Sequence, residues 1–305
     1  MKAARIERFG GPEVVEVQEL AVPDPGAGEV LVRVAAAGVA PWDAIIREGR
    51  SKVSPQPPLT LGSDLSGTVE SVGDGVTDFR AGDAVYGVTN PQFVGAHAEY
   101  ATCKAGMIAP KPQALNPIEA ASAPVIAVTA YQMLFEHAKA SSGETVLITG
   151  AAGNVGAYAV QMAVSAGIRV VAVVRAKDAP MLRDLGVDAV VDSTEPSFER
   201  ALPSVDAILD LVGGETVERC MGALKPGRKL VTVVSESPPP QRAGVETVFF
   251  YAEVTTARLK VLTEMFESAK ISARVGSVLP LAQARRAHEM LAGAPHEPGK
   301  IVLRM

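Results

Sequence analysis

Thr145-Val-Leu-Ile-Thr-Gly150-Ala-Ala-Gly153-Asn-Val-Gly156 carries more structural information than any other stretch of this chain. Its first five residues are apolar or β-branched, as in a buried strand, and the run stops at Gly150. Three glycines spaced three apart follow, and Ala157-Tyr-Ala-Val-Gln-Met-Ala-Val164 continues with helix-forming composition. A strand, a glycine turn and a helix N-terminus together make an anion site. Backbone N–H groups point at the ligand, the helix dipole favours negative charge, and the missing Cβ atoms admit a pyrophosphate. The spacing is G-x-x-G-x-x-G rather than G-x-G-x-x-G, so the glycines alone read equally well as a plain strand-to-helix turn. The flanking strand and helix favour binding, with Gly150, Gly153, Asn154, Val155 and Gly156 as its residues.

Arg169-Val-Val-Ala-Val-Val174 reads as the next parallel strand, near-continuously hydrophobic because both its faces are covered. A site for NAD wants a carboxylate about 20 residues past the glycines, at the end of this strand, to hold the ribose 2′-hydroxyl. That end carries Arg175 and Lys177 instead. A guanidinium offers planar, permanently charged donors to a phosphate, which points to NADP(H). Two other readings stay open: a solvated helix start, or Asp178 as the acid if the strand runs three residues further.

The 305 residues are enough for two domains at about 150 residues each. Residues 1 to about 110 are rich in short strands and glycine turns, among them Val30–Ala35, Gly62–Gly73 and Gly82–Gly87, as in a barrel or sandwich. Beyond Asn116 the texture becomes alternating strand and helix. Strands are expected near Ala189–Val191, Ala207–Leu211, Lys229–Val234 and Thr247–Phe250. Such alternation argues an α/β, doubly wound parallel sheet. Ser237–Pro240 reads as a loop, Ala252–Ala269 and Leu281–Ala292 as helices, and Lys300–Arg304 as a closing strand.

With 29 basic and 34 acidic side chains, the net charge of -5 argues against a general nucleic-acid or anionic-membrane binder. The N-terminus is charged from the start, and the longest uncharged stretch is broken by glycines, Asn154 and Gln161; neither a signal core nor a membrane span is expected. Cys103 and Cys220 stand far apart, implying no disulfide framework and fitting a cytoplasmic protein.

An ordered series of motifs covers nearly the whole chain: Gly28-Glu-Val-Leu-Val-Arg-Val34, Gly38-Val-Ala-Pro-Trp-Asp43, Gly62-x-Asp64-x-x-Gly67, Gly82-Asp-x-Val85, Ala98-Glu-Tyr100, Thr129-Ala-Tyr131, the glycine turn, and Gly299-Lys-Ile-Val-Leu303. In this the chain resembles the medium-chain dehydrogenase/reductase superfamily and, within it, the zinc-independent quinone oxidoreductases. The resemblance implies a GroES-like β-rich catalytic domain formed by residues 1–115 and 265–305. A Rossmann domain of residues 116–264 would lie between those segments, and a homodimer would form through the Thr247–Tyr251 edge.

The resemblance also bears on metal. Zinc-dependent relatives carry a ligand Cys where this chain has Ala40, and His-Glu where it has Ser63-Asp64. A structural zinc lobe needs four cysteines, so no metal is expected. Without a Lewis acid, the accessible reaction is hydride transfer from NADPH to a quinone. The alternatives are an enone or alkenal reduced at its double bond, or a low-turnover NADPH-binding sensor or RNA-binding protein. Resemblance places Thr129 near the nicotinamide or its phosphates, Arg175 at the 2′-phosphate and Ser193 close by. Trp42, Asp43 and Phe249 are the substrate-pocket candidates, with other readings open: Trp42 as a core residue, Asp43 as an N-cap or turn residue, and Phe249 as sheet or dimer packing. An Asn common in quinone reductases is replaced by Ala40, and no general acid stands out.

Overall fold

The computed structural model describes residues 1–234 and 242–305; the expected loop at Ser237–Pro240 lies outside them. In chain order the first elements are β1 (Lys2–Ile6), β2 (Glu16–Glu19), β3 (Glu29–Val39), α1 (Pro41–Arg47), β4 (Leu59–Thr60), β5 (Asp64–Val72), β6 (Ala84–Val88), β7 (Tyr100–Lys104) and β8 (Ile108–Pro110). Two helices follow, α2 (Pro117–Ser122) and α3 (Pro124–Tyr131). Then come β9 (Thr145–Thr149), α4 (Asn154–Ser165), β10 (Arg169–Val174), α5 (Ala179–Asp184), β11 (Ala189–Asp192), β12 (Val205–Asp210), α6 (Gly214–Cys220), β13 (Leu224–Thr232) and β14 (Glu246–Phe249). The chain closes with α7 (Thr256–Glu267), β15 (Val275–Pro280), α8 (Ala284–Leu291) and β16 (Lys300–Arg304).

These elements form two compact units. One comprises Met1–Val125, Val254–Ser268 and Ala273–Met305; the other comprises Ile126–Glu253 with Ala269–Ser272. The boundaries expected from the sequence fall at 115/116 and 264/265. The units instead divide at Val125/Ile126 and Glu253/Val254, because α2 packs on β3 and β5 and α7 packs on β8. Tyr86 ties α7 to that unit by donating to Leu259 O at 2.7 Å.

In the first unit the long strand β3 is the hub, pairing antiparallel with β5, β7 and β16. Its side chains Val30, Val32 and Val34 pack with Leu65, Val69 and Val85 in a buried cluster. The last strand joins here: Ile301 of β16 pairs with Val39, and Leu303 with Ala37. A three-stranded sheet, β2-β1-β4, completes the unit.

The second unit is a six-stranded sheet in the order β11-β10-β9-β12-β13-β14, every pairing parallel. Leu147, Val171, Val173, Ile208 and Leu230 form its core with Val217 and Cys220 of α6. Strands buried on both faces need no alternation of polar and apolar residues, which is why these runs were legible as uniform Val/Ile/Leu stretches. The helix expected from Ala252 starts instead at Thr256, since Thr255 takes an extended backbone and its hydroxyl accepts from Arg258 N as an N-cap.

Candidate functional site

The turn after β9 leaves the start of α4 open. Gly150 takes a left-handed backbone (φ +65°) and donates to Val173 O, so the chain reverses at the carboxyl end of the sheet. Gly153 then donates to Gly150 O, and α4 begins at Asn154. Gly153 stands at the N-cap and offers no side chain over the helix end. The N–H groups of Asn154, Val155 and Gly156 find no acceptor among the described residues. Gly156 must be glycine for a different reason: a Cβ there would lie 2.4 Å from Gly150 O and 2.7 Å from Ala151 Cα. An uncapped helix start with free amides and a positive dipole end fits a pyrophosphate.

Arg175 and Ser193 come together beside this turn. Val174 pairs with Asp192 in the sheet, and Ser193 N donates to Val174 O at 2.8 Å. The Arg175 side chain is two-thirds exposed, with Nε 3.8 Å from Asp178 Oδ2. β10 ends at Val174, so Asp178 stands beyond the strand and faces the guanidinium rather than replacing it. Thr129 is buried in α3. Phe249 ends the edge strand β14, 37% exposed, with its ring edge-on to Tyr251 at 5.1 Å.

Asp210 is a residue that sequence reasoning passed over. It ends β12 and is buried, accepting from Thr149 Oγ1 (2.8 Å), Val212 N (3.2 Å) and Gly213 N (2.9 Å) at Oδ1, and from Thr232 Oγ1 (2.8 Å) at Oδ2. The available signal was an acid closing an apolar strand just ahead of Gly213-Gly214, at the same end of the sheet as the glycine turn.

In the first unit Asp43 lies in the opening turn of α1, where its Oδ2 accepts from Ala40 N at 2.8 Å. Its other oxygen, Oδ1, is buried with no partner among the described residues. Burial pushes the Asp43 carboxyl up to about 7, against the pull of Lys300, while the like charge of Asp64 adds to the rise. Asp64 accepts from Lys300 Nζ at 2.9 Å and from Val125 N at 3.1 Å. Trp42 donates from Nε1 to Ser63 Oγ at 3.1 Å, and the Lys300 ammonium stands 4.4 Å from its ring centre. Two buried histidines lie nearby in the sequence-distant wall of the same unit: His97 Nε2 bonds Gly38 O, and His288 Nδ1 bonds Arg47 Nη1. Burial pushes His97 down to about 4 and His288 well below its ordinary value.

This donor set does not fit a zinc ion. Ala40 has no ligand atom, Ser63 Oγ is engaged by Trp42, and Asp64 already faces a resident ammonium. Among the described residues no group of three or more His, Cys, Asp or Glu side chains gathers in a way that could hold a metal.

Comparison with known proteins agrees with this architecture. The family described as alcohol dehydrogenase GroES-like domain matches residues 26–113, and the one described as zinc-binding dehydrogenase matches residues 185–303. The chain is 30% identical to a quinone oxidoreductase of Mus musculus over 324 residues, covering 99% of this chain and 97% of that protein. It is 32% identical to a 2-methylene-furan-3-one reductase of Solanum lycopersicum, covering 89% of this chain and 70% of that protein. Among solved structures, a mycobacterial protein complexed with NADPH superposes with a TM-score of 0.87 at 30% identity, over the full length of both chains. The chain belongs to the medium-chain dehydrogenase/reductase superfamily of oxidoreductases, in its quinone oxidoreductase-like branch.

Proposed function

We propose that this protein is an NADPH-dependent, zinc-independent reductase that transfers hydride to a quinone. The observation that carries the reading is the uncapped N-terminus of α4, with the guanidinium of Arg175 at the end of the neighbouring strand. Likeness to a quinone oxidoreductase and to a protein complexed with NADPH supports it. When bound, the nicotinamide supplies the hydride; the protein supplies binding, orientation and electrostatics.

The amides of Asn154, Val155 and Gly156 are assigned to the pyrophosphate, with Gly150 and Gly153 shaping the turn. Arg175 and Ser193 are assigned to the 2′-phosphate, and Thr129 to the nicotinamide side. Trp42, its ring held by Ser63 and Lys300, is assigned to the planar acceptor. Asp43 supports the loop that carries Trp42. Phe249 at the end of the edge strand β14 and Tyr251 just beyond it are exposed and are assigned to a homodimer contact, which would cover that edge. Water suffices as the proton source, and a cytoplasmic location is proposed.

Likeness to the 2-methylene-furan-3-one reductase favours a second reading, in which the acceptor is an enone reduced at its double bond. One experiment separates them: NADPH oxidation followed with a para-quinone and with a short alkenone, repeated with NADH and with a chelator. Fast quinone turnover, NADPH preference and indifference to chelator uphold the proposal. Turnover with the alkenone alone moves the activity to double-bond reduction, and loss of activity with chelator defeats zinc independence.

A further inference from the structure

The winding of the parallel sheet reverses between β9 and β12, which pair directly while β10 and β11 extend one way and β13 and β14 the other. Ligands of open α/β sheets sit outside the carboxyl strand ends at such a reversal. The residues at those two ends are Thr149 and Asp210. The loop after Asp210 also touches the glycine turn: a Cβ on Gly150 would lie 2.9 Å from Val212 Cγ2 and 3.4 Å from Leu211 Cβ.

Asp210 is 1% exposed, and all four of its hydrogen-bond donors are neutral: two threonine hydroxyls and two backbone amides. No Lys, Arg or His side chain pairs with it among the described residues. The contrast is Asp206, at the other end of the same strand, which is paired with both Lys225 and Arg228. Asp210 thus holds a negative charge on dipoles alone, beside a turn suited to a pyrophosphate. For the phosphates such a charge is a cost, since like charges repel. It is an asset only toward a positive part of the ligand.

NADPH and NADP⁺ carry the same phosphates and differ at the nicotinamide. When hydride leaves the reduced ring, a C–H bond breaks and its electron pair goes to the acceptor. The ring gains a positive charge, and the acceptor gains a negative one that a solvent proton neutralises. We propose that Asp210 favours the oxidised, positively charged nicotinamide over the reduced one and so biases the bound cofactor toward giving up hydride. The inference rests on the NADPH reading above, and goes beyond it by naming the source of the bias.

The test is the ratio of the dissociation constants for NADP⁺ and NADPH, measured by titration without any acceptor. Contributions from the shared phosphates cancel in that ratio. Asp210→Asn is nearly isosteric: its amide oxygen can keep the three donors at Oδ1, and its NH2 can donate to Thr232 Oγ1 in place of the reversed bond. The ratio is expected to rise by roughly threefold to tenfold in Asp210→Asn, the scale of one charge acting through a partly buried site. Asp206→Asn, with its charge at the far end of β12, is expected to leave the ratio unchanged. Circular dichroism checks that each variant folds; if Asp210→Asn does not, Asp210→Ser, whose hydroxyl can still accept, carries the same test. An unchanged ratio in a folded variant that binds NADPH overturns the inference. Failure of the unmodified protein to bind either nucleotide would instead defeat the NADPH reading itself.

Discussion

Lys300 Nζ lies 2.9 Å from Asp64 Oδ2, with both side chains almost wholly out of solvent. The residues are 236 positions apart, so the ion pair fastens the closing strand β16 to the start of β5. A buried pair gains little over an apolar replacement, but losing one partner strands a charge. Lys300→Met is therefore expected to destabilise the fold by about 3–5 kcal/mol, and Lys300→Met with Asp64→Leu to recover most of that. Urea unfolding of the single and double variants measures both. Equal stability of Lys300→Met and the unmodified protein would show that the pair is not coupled.

Asp43 and His97 pull the pH dependence of stability in opposite directions, Asp64 shifting in the sense of Asp43 and His288 in the sense of His97. Asp43 is pushed up to about 7, so the folded protein keeps a proton that the unfolded chain releases near its ordinary value of about 3.9. That contribution is fully present below about pH 4 and is lost as pH rises to 7, at most about 4 kcal/mol. His97 works in the opposite sense: held near 4, it resists a proton that the unfolded chain accepts at about 6.5, so its contribution is lost as pH falls. The two oppose each other between about pH 4 and 6.5. Asp43→Asn is expected to remove the downward limb, making stability climb more steeply with pH by about one proton's worth in that window. Urea midpoints at four pH values between 4.5 and 7.5 would show it, and parallel curves for the two proteins would refute it.

Gly153 and Gly156 belong to one motif but meet different surroundings. A Cβ at Gly153 would approach only Gly150 O, at 3.2 Å, whereas one at Gly156 would press into backbone at 2.4 Å and 2.7 Å. Gly156→Ala is expected to abolish measurable NADPH binding and cost about 1–3 kcal/mol of stability, as overpacking does. Gly153→Ala should weaken binding by less than about tenfold, an affinity change under about 1.4 kcal/mol. Nucleotide titrations and thermal melts on both variants decide the matter; equal losses would mean that spacing, not packing, sets the requirement.

Arg175 faces Asp178 across 3.8 Å at an exposed site, a weak pairing that a phosphate can displace. Arg175→Ala is expected to cut the preference for NADPH over NADH by about tenfold to a hundredfold, the range of a charge-assisted hydrogen bond. Asp178→Asn should raise NADPH affinity slightly by freeing the guanidinium. Steady-state constants with both nucleotides test this, and an unaltered preference in Arg175→Ala would move the 2′-phosphate elsewhere.

Much of the second unit was legible in the sequence because its determinants are local. Its β9 and β10 match the expected spans, glycine marking the close of β9 and a valine-rich run marking β10; in the first unit β16 does so too. The first unit was less so. β1 and β2 escaped notice because Lys2, Arg5, Glu16 and Glu19 make them look like charged loop, and the pairing of β1 with β4 joins segments far apart in the chain.

The candidate site divides along the same line. The turn formed by Gly150, Gly153 and Gly156 was legible from the chain alone, since a strand, a turn and a helix start are contiguous and glycine conformation is a short-range property. The zinc-ligand positions, Ala40 and Ser63-Asp64, were equally plain as residue types. What only the tertiary structure decided is how buried polar groups are satisfied: Asp64 by Lys300, Trp42 by Ser63, and Asp210 by Thr149 and Thr232. Each of these bonds spans 21 or more residues, and no local pattern announces its partner. Burial makes an unpaired polar group costly, so the fold selects these partners, and it does so only once the sheets have brought distant residues together.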